Sequence, residues 1–307
     1  MTDKKKFGSG SVSSITLGTV QLGLAYGVNN DKGMPSYEES SAILNKAREL
    51  GICAFDTARG YGESEAVLGR YFKENPCDKT VITKAAIYDV APERFEDALF
   101  ESVRTSLDKL GTDRVNAVMF HNERMLDNYG DTAARALFKL RDEGLCELVG
   151  VSFSTKNNLD RYATDYKLDC VQIPANMLDS VGISDGIAEK LSRQGTFVFV
   201  RSLYLQGLFF KNTDTLTGKL TVAKPSLDAL DALARDAGLS MAEMAVSYIR
   251  DAEGVGSLVL GCDTPEQLEE SARTVGAPAL SAEIRAEIEK IASTVPNIVV
   301  RPWDWYK

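Results

Sequence analysis

Residues 81–121, VITKAAIYDVAPERFEDALFESVRTSLDKLGTDRVNAVMFH, read as a strand, a helix and a second strand in direct succession. Val81–Lys84 is short and rich in β-formers. Behind it Phe95, Leu99, Val103, Leu107 and Leu110 recur at spacings of three and four, one face of an amphipathic helix over Glu93–Leu110. Val115–Phe120 then runs apolar without alternation, the pattern of a strand covered on both faces. Two such strands joined by a helical crossover make a parallel βαβ unit.

The unit repeats in both directions. Toward the N-terminus, Ser14–Leu17 is followed by a helical segment at Tyr37–Leu50, and Cys53–Thr57 by a short helix at Ser64–Phe72. Toward the C-terminus come a helix at Asp131–Glu143, stopped by Gly144, and the strands Leu148–Phe153, Cys170–Pro174, Phe197–Val200 and Ser257–Leu260. A helix-rich region spans Ser226–Asp251, and Ser281–Ser293 reads as a last helix. Eight strands followed by helical segments predict an α/β fold, a closed (β/α)8 TIM barrel with extra C-terminal helices. Such a barrel needs about 250 residues, and the 307 available hold one. No Pro/Gly/Ser-rich linker interrupts the chain, so residues 1–307 are expected to form a single domain. A doubly wound dinucleotide fold would need G-x-G-x-x-G after its first strand. Here that strand ends Gly18-Thr19-Val20-Gln21-Leu22-Gly23, and the spacing does not match.

Composition narrows the classes. Apolar residues at 44% and charged residues at 26% describe a globular chain with a core that needs no staples. The five cysteines, Cys53, Cys77, Cys146, Cys170 and Cys262, are odd in number and lack C-x-x-C spacing. That argues against a disulfide framework and a zinc site; it predicts no metal and a reducing, cytoplasmic setting. The opening MTDKKKFGSGSVSS has no apolar run behind its lysines, so it does not read as a signal peptide and is expected to be a frayed, solvated end. No stretch approaches the roughly 18 apolar residues of a membrane helix. A net charge of −9 argues against nucleic-acid partners. The oligomeric state is not legible.

In a barrel the chemistry sits at the C-terminal ends of the strands. Read in order, those ends supply Asp56 with Tyr61 in the loop behind it, Lys84, and His121, the only histidine in the chain. A carbonyl that receives hydride develops negative charge on oxygen and must be given a proton. A tyrosine hydroxyl donates it when a nearby ammonium stabilises the phenolate left behind, and a carboxylate keeps that ammonium charged and oriented. An imidazole beside the same oxygen orients the substrate. Any one of these side chains alone is more often a solvated loop residue; together at successive strand ends they point to catalysis.

These residues carry a resemblance. Phe55-Asp56-Thr57-Ala58-Arg59-Gly60-Tyr61-Gly62, with Glu65 and Leu68-Gly69, resembles the aldo-keto reductase signature around that family's Asp and Tyr. Thr83-Lys84 and Phe120-His121 are similar to the strand ends bearing its Lys and His. The resemblance continues in order through Val149-Gly150-Val151-Ser152, Val171-Gln172, Leu205-Gln206-Gly207-Leu208, and Gly261 with Glu266–Glu270, over roughly residues 14–275. It implies an oxidoreductase that moves hydride between a nicotinamide cofactor, NADP or NAD, and a small polar carbonyl or alcohol substrate, with Asp56, Tyr61, Lys84 and His121 catalytic. The implied cofactor-binding set is Gly18, Thr19, Asp56, Ser152, Gln172, Arg201, Ser202, Gln206, Gly207, Gly261, Asp263, Gln267, Glu270 and Ser271. Within it Ser152 and Gln172 would hold the carboxamide, Gln206-Gly207 the pyrophosphate and the Gly261 segment the adenosine. Ser152 and Gln172 also read as ordinary strand-end hydrogen-bonders, and Gly261 as a turn glycine.

The sequence departs from the family pattern at Phe153, where an Asn is common, and at Arg201, where many members stack a Tyr on the nicotinamide. Arg201 and Arg59 together would place two positive charges at the pocket end of an acidic protein. That favours a sugar or a carboxylated or phosphorylated carbonyl compound over a steroid or lipid aldehyde. The family more often takes the phosphorylated cofactor, and a 2′-phosphate wants cations. Gly261-Cys262-Asp263-Thr264-Pro265-Glu266-Gln267 has none, so use of both forms is expected, with less than about a tenfold preference, or 1.4 kcal/mol. The tail Arg301–Tyr306 reads equally as a cover for the barrel or as a wall of the substrate pocket. Two further readings compete: a cofactor-holding regulatory module with little turnover, and a Schiff-base enzyme using Lys84, which a neighbouring Asp56 would oppose.

Overall fold

The structure, a computed structural model, describes residues 4–27, 30, 33–155 and 157–305. Its frame is a closed barrel of eight parallel strands: β3 (Ile15–Gly18), β4 (Ala54–Asp56), β5 (Thr80–Ala85), β6 (Val115–Phe120), β7 (Cys146–Ser152), β8 (Cys170–Pro174), β9 (Phe197–Arg201) and β10 (Val255–Gly261). They run in that order around the barrel, and β10 closes it by pairing with β3. Every strand expected from the sequence is present, with ends displaced by two residues at most.

Helices α1 (Tyr37–Glu49), α2 (Ser64–Glu74), α3 (Phe95–Leu110), α4 (Arg124–Asp142), α5 (Leu159–Asp165), α6 (Ile187–Arg193), α7 (Lys224–Asp236), α8 (Met241–Arg250) and α9 (Pro265–Thr274) cover the barrel, and α10 (Ala282–Ala292) lies beyond the last strand. The apolar stripe Phe95, Leu99, Val103, Leu107 and Leu110 of α3 is buried as its period requires. Ser36 and Ser240 form capping boxes with Glu39 and Glu243 at the starts of α1 and α8. The helix expected at Asp131–Glu143 begins about two turns earlier, at Arg124. Gly130, at φ 50°, kinks it where the apolar period restarts. Among the described residues no helix is long and apolar enough to cross a membrane.

The frayed N-terminus is a correction. Lys4–Phe7 and Gly10–Ser13 form an antiparallel hairpin, β1 and β2, across the N-terminal ends of the barrel strands. Phe7 and Val12 are buried, packing with Ala54, Ile82, Ala117, Met119, Cys170 and Phe199 of the barrel interior. The lysines stay outside the plug: Lys5 donates to the Val255 carbonyl at 2.8 Å, and the other two are exposed. Met1, Thr2 and Asp3 lie outside the described residues, as does Tyr306 of the tail. Trp305 is buried in the core and donates from Nε1 to the Ile298 carbonyl at 2.9 Å. No tail residue from Arg301 to Trp305 is among those lining the main cleft.

Candidate active site

Side chains alternate across a strand, and that parity builds the site. Ala54, Ile82, Ala117, Met119, Cys170 and Phe199 point into the barrel. Two residues further along each strand, or just past it, the same face presents Asp56, Lys84, His121, Gln172 and Arg201. The register sets their heights, pairing Gly18 with Asp56 and Pro174 with Arg201. The C-terminal mouth of the barrel is therefore polar while its waist is apolar.

Lys84 is the centre of this array, with its side chain 0% exposed. Its Nζ donates to Asp56 Oδ2 at 2.7 Å, the Thr57 carbonyl at 3.1 Å and Tyr61 Oη at 3.5 Å. Burial pulls the Lys84 pKa down, but the Asp56 carboxylate and Tyr61 outweigh it and hold the ammonium above its ordinary value. Asp56 Oδ1 accepts from Gln172 Nε2 at 2.9 Å, and Gln172 Oε1 accepts from Ser152 Oγ at 3.2 Å. Both carboxylate oxygens are thus satisfied, as a buried charge requires. The backbone around Asp56 is fixed as well: Thr19 donates to its carbonyl from N and from Oγ1, both at 3.0 Å.

Tyr61 reaches the array from the turn before α2, its ring edge-on to His121 at 5.4 Å. Burial, then the charges of Lys84 and Arg201, push His121 down from 6.5 to about 3, so the imidazole is neutral over the working range. Two hydrogen-bonding groups therefore face the mouth: the Tyr61 hydroxyl, beside the Lys84 ammonium, and an uncharged imidazole.

They open on a cleft of about 730 Å³, within the range of about 300–1,000 Å³ that ligand pockets span. Asp56, Tyr61 and His121 line it, together with Gly18, Thr19, Ser152, Arg201, Ser202, Gln206, Gly207, Gly261, Asp263, Gln267, Glu270 and Ser271. Lys84 and Gln172 are not in its wall. They stand behind it, bonded to Asp56, and the Gln172 carboxamide is engaged by Ser152 and Asp56. Arg59 is not in the wall either, so of the two cations expected at the pocket only Arg201 is there.

The cleft fits a nicotinamide dinucleotide. Gln21 Oε1 is buried without a partner in a side chain that lines the cleft, an acceptor available to a ligand hydroxyl. Gly261 lies against it: a Cβ there would come within 2.5 Å of that oxygen and would push the Gln21 side chain aside. Among the described residues no group of three His, Cys, Asp or Glu is placed to hold a metal ion.

Tyr26, Tyr88, Asn122, Ser154, Tyr204 and Phe210 also line the cleft and were not singled out from the sequence. Asn122 and Ser154 follow strand ends by two residues, a signal that was available. Tyr26 and Tyr88 sit in loops whose course no periodicity reports.

The Aldo/keto reductase family profile matches residues 14–293. An L-glyceraldehyde 3-phosphate reductase of Escherichia coli O157:H7 is 26% identical, over 91% of this chain and 90% of that protein. An L-galactose dehydrogenase of Arabidopsis thaliana is also 26% identical, over 94% and 92%. The fold is similar to that of an aldo-keto reductase from Bacillus halodurans in its holo form, with a TM-score of 0.79 at 22% identity over 98% of this chain and 100% of that one.

Proposed function

Because the chain belongs to the aldo/keto reductase family and is an oxidoreductase, we propose that it moves a hydride between a nicotinamide cofactor and a small polar carbonyl or alcohol, an aldehyde, ketone or sugar. The observation that carries this reading is the buried Asp56–Lys84 pair, with its ammonium 3.5 Å from the Tyr61 hydroxyl in a cleft wall shared with His121. The relatives named for a triose phosphate and a hexose support a polar substrate.

When bound, the reduced nicotinamide would supply the hydride to the carbonyl carbon. Tyr61 gives its proton to the carbonyl oxygen as charge builds there. The Lys84 ammonium stabilises the phenolate that remains, and a 3.5 Å contact has room to tighten. Asp56 keeps Lys84 charged and aimed, and Gln172 holds Asp56. The neutral His121 orients the substrate oxygen without competing for the proton. In the alcohol-to-carbonyl direction the same groups act in reverse.

Gly18, Thr19, Gln21, Ser152, Ser202, Gln206, Gly207, Gly261, Gln267 and Ser271 are the residues we assign to the cofactor. At the Gly261 end Asp263 and Glu270 bring negative charge, and desolvation raises the Asp263 pKa. A 2′-phosphate would face repulsion there, whereas a free ribose hydroxyl would not. Both cofactor forms are expected to serve, less than about tenfold apart. The odd number and scattered spacing of the five cysteines support work in the reducing cytoplasm.

The test is initial-rate measurement with both reduced cofactors against sugars, small aldehydes and ketones, alongside dissociation constants from fluorescence quenching. No turnover across the panel would overturn the reading. A hundredfold preference for the phosphorylated cofactor would overturn the role of Asp263.

A further inference from the structure

Arg201 is the one cation among the described residues that line the cleft. Neutral oxygens hold it: Nη2 donates to the Phe153 carbonyl at 2.9 Å, and Nη1 to Ser202 Oγ at 3.1 Å. No carboxylate among the described residues pairs with it. The carboxylate of the cleft floor, Asp56, is committed to Lys84 and Gln172. A half-buried guanidinium normally finds an anion, since a desolvated charge without one is costly.

The anchor is itself anchored. Glu123, 6% exposed, accepts from the Ser154 and Thr155 amides at 2.8 and 2.9 Å and from the Thr155 hydroxyl at 2.8 Å. That carboxylate clamps the chain just after Phe153 and so fixes the carbonyl that aims Arg201. A glutamate is spent on the loop, and the arginine is oriented without being neutralised. Arg201 ends β9 at the C-terminal mouth of the barrel and lines the same cleft as Tyr61 and His121.

We propose that Arg201 is a specificity residue that receives an anionic group of the substrate, a carboxylate or a phosphate carried by the same small molecule as the reacting carbonyl or alcohol. This rests on the cleft being a carbonyl reductase site, and it narrows polar substrates to anionic ones. The remaining donor edge of a fixed guanidinium suits a carboxylate or phosphate oxygen pair. In a protein of net charge −9 such a substrate is repelled from most of the surface and is held only where a cation has been left unpaired.

Two matched pairs separate the sources: succinic semialdehyde against butanal for a carboxylate, and glyceraldehyde 3-phosphate against glyceraldehyde for a phosphate. The wild type should favour the anionic member of at least one pair by about tenfold or more in kcat/KM. Arg201→Gln should lower that ratio by about tenfold to a hundredfold, the size of a charge-assisted hydrogen bond. Arg201→Lys, which keeps the charge and loses the fork, should fall between. Succinate and inorganic phosphate give a readout free of turnover: calorimetry with the cofactor-loaded protein should show one of them bound by the wild type and lost in Arg201→Gln. If no aldehyde reacts but the anion binds in this way, the reductase reading fails and the anion site stands. Three results would overturn the proposal: no anionic preference in either pair, a preference unchanged in Arg201→Gln, or a loss of cofactor affinity beyond tenfold in both variants, which would assign the guanidinium to the dinucleotide.

Discussion

At the scale of single residues, the Tyr61 hydroxyl has one described partner, the Lys84 ammonium, and its ring packs on His121. Tyr61→Phe therefore removes the proton donor and little else. We expect kcat to fall by about 10²–10⁴, the usual contribution of general acid catalysis, while fluorescence quenching gives a cofactor dissociation constant within about twofold of wild type. A variant that keeps more than about a tenth of wild-type kcat would remove Tyr61 from the role. His121 makes a pH prediction of definite sign. Its folded value of about 3 lies below the ordinary 6.5, so between these values the unfolded chain binds a proton that the folded one refuses. Stability then falls as pH drops from about 6.5 toward 3, by at most about 1.4 kcal/mol per pH unit. Above 6.5 the residue adds no slope. No other histidine confounds the measurement. Urea titrations of wild type and His121→Asn at pH 4 to 7 should show the shallower slope in the variant; equal slopes would mean that the folded imidazole titrates normally.

At the scale of elements, helices α2 and α3 meet at a glycine. A Cβ on Gly69 would lie 2.2 Å from the Lys109 carbonyl oxygen and within 2.9–3.0 Å of the Leu110 backbone. Both obstacles are main chain, so no rotamer change relieves them. Alanine would raise the helix propensity of α2 by about 1 kcal/mol, yet the helices would have to separate, and overpacking of this kind costs about 1–3 kcal/mol. Gly69→Ala is expected to be net destabilising by chemical denaturation; a more stable variant would show that the pair separates freely. Helix α2 matters to the site because its first turn follows Tyr61 and supplies Glu65, which accepts from Thr83 Oγ1 beside Lys84 at 2.6 Å. Loosening this contact should therefore lower kcat as well as stability.

Across the whole molecule, the hairpin plug and the candidate active site sit at opposite ends of the barrel. The β1–β2 hairpin plugs the N-terminal end, where the Phe7 ring meets Phe197 and Phe199 edge-on at 5.1 and 5.3 Å. Phe7→Ala should cost about 3–5 kcal/mol, as burial of a phenylalanine in a packed interior implies. Because Asp56, Lys84 and His121 stand at the C-terminal strand ends, kcat/KM per folded molecule should stay within about twofold at a temperature where the variant is folded. A large loss of activity without loss of stability would mean that the plug communicates with the mouth.

The barrel was legible because its signals are local. Strand β6 shows itself as a short apolar run and helix α3 through spacings of three and four residues, and neither signal depends on what the element packs against. That Asp56, Tyr61, Lys84 and His121 gather at one end of the barrel was legible from reading strand ends in order. Contacts that span long stretches of chain carry no such period. The hairpin looked like a charged tail because Lys4–Lys6 face outward, and only the closed barrel shows that Phe7 and Val12 have an interior to fill. Gln172 and Asp56 are 116 residues apart, yet their 2.9 Å bond moves Gln172 from the cleft wall to the support behind it. Arg59 and Arg201 are equally cationic in sequence; strand parity and the Glu123-clamped loop set only Arg201 in the cleft. Local periodicity thus determined which elements form and which residue types stand at their ends. Barrel closure decided which of those side chains meet, because distance in space, and not along the chain, sets hydrogen bonding and charge.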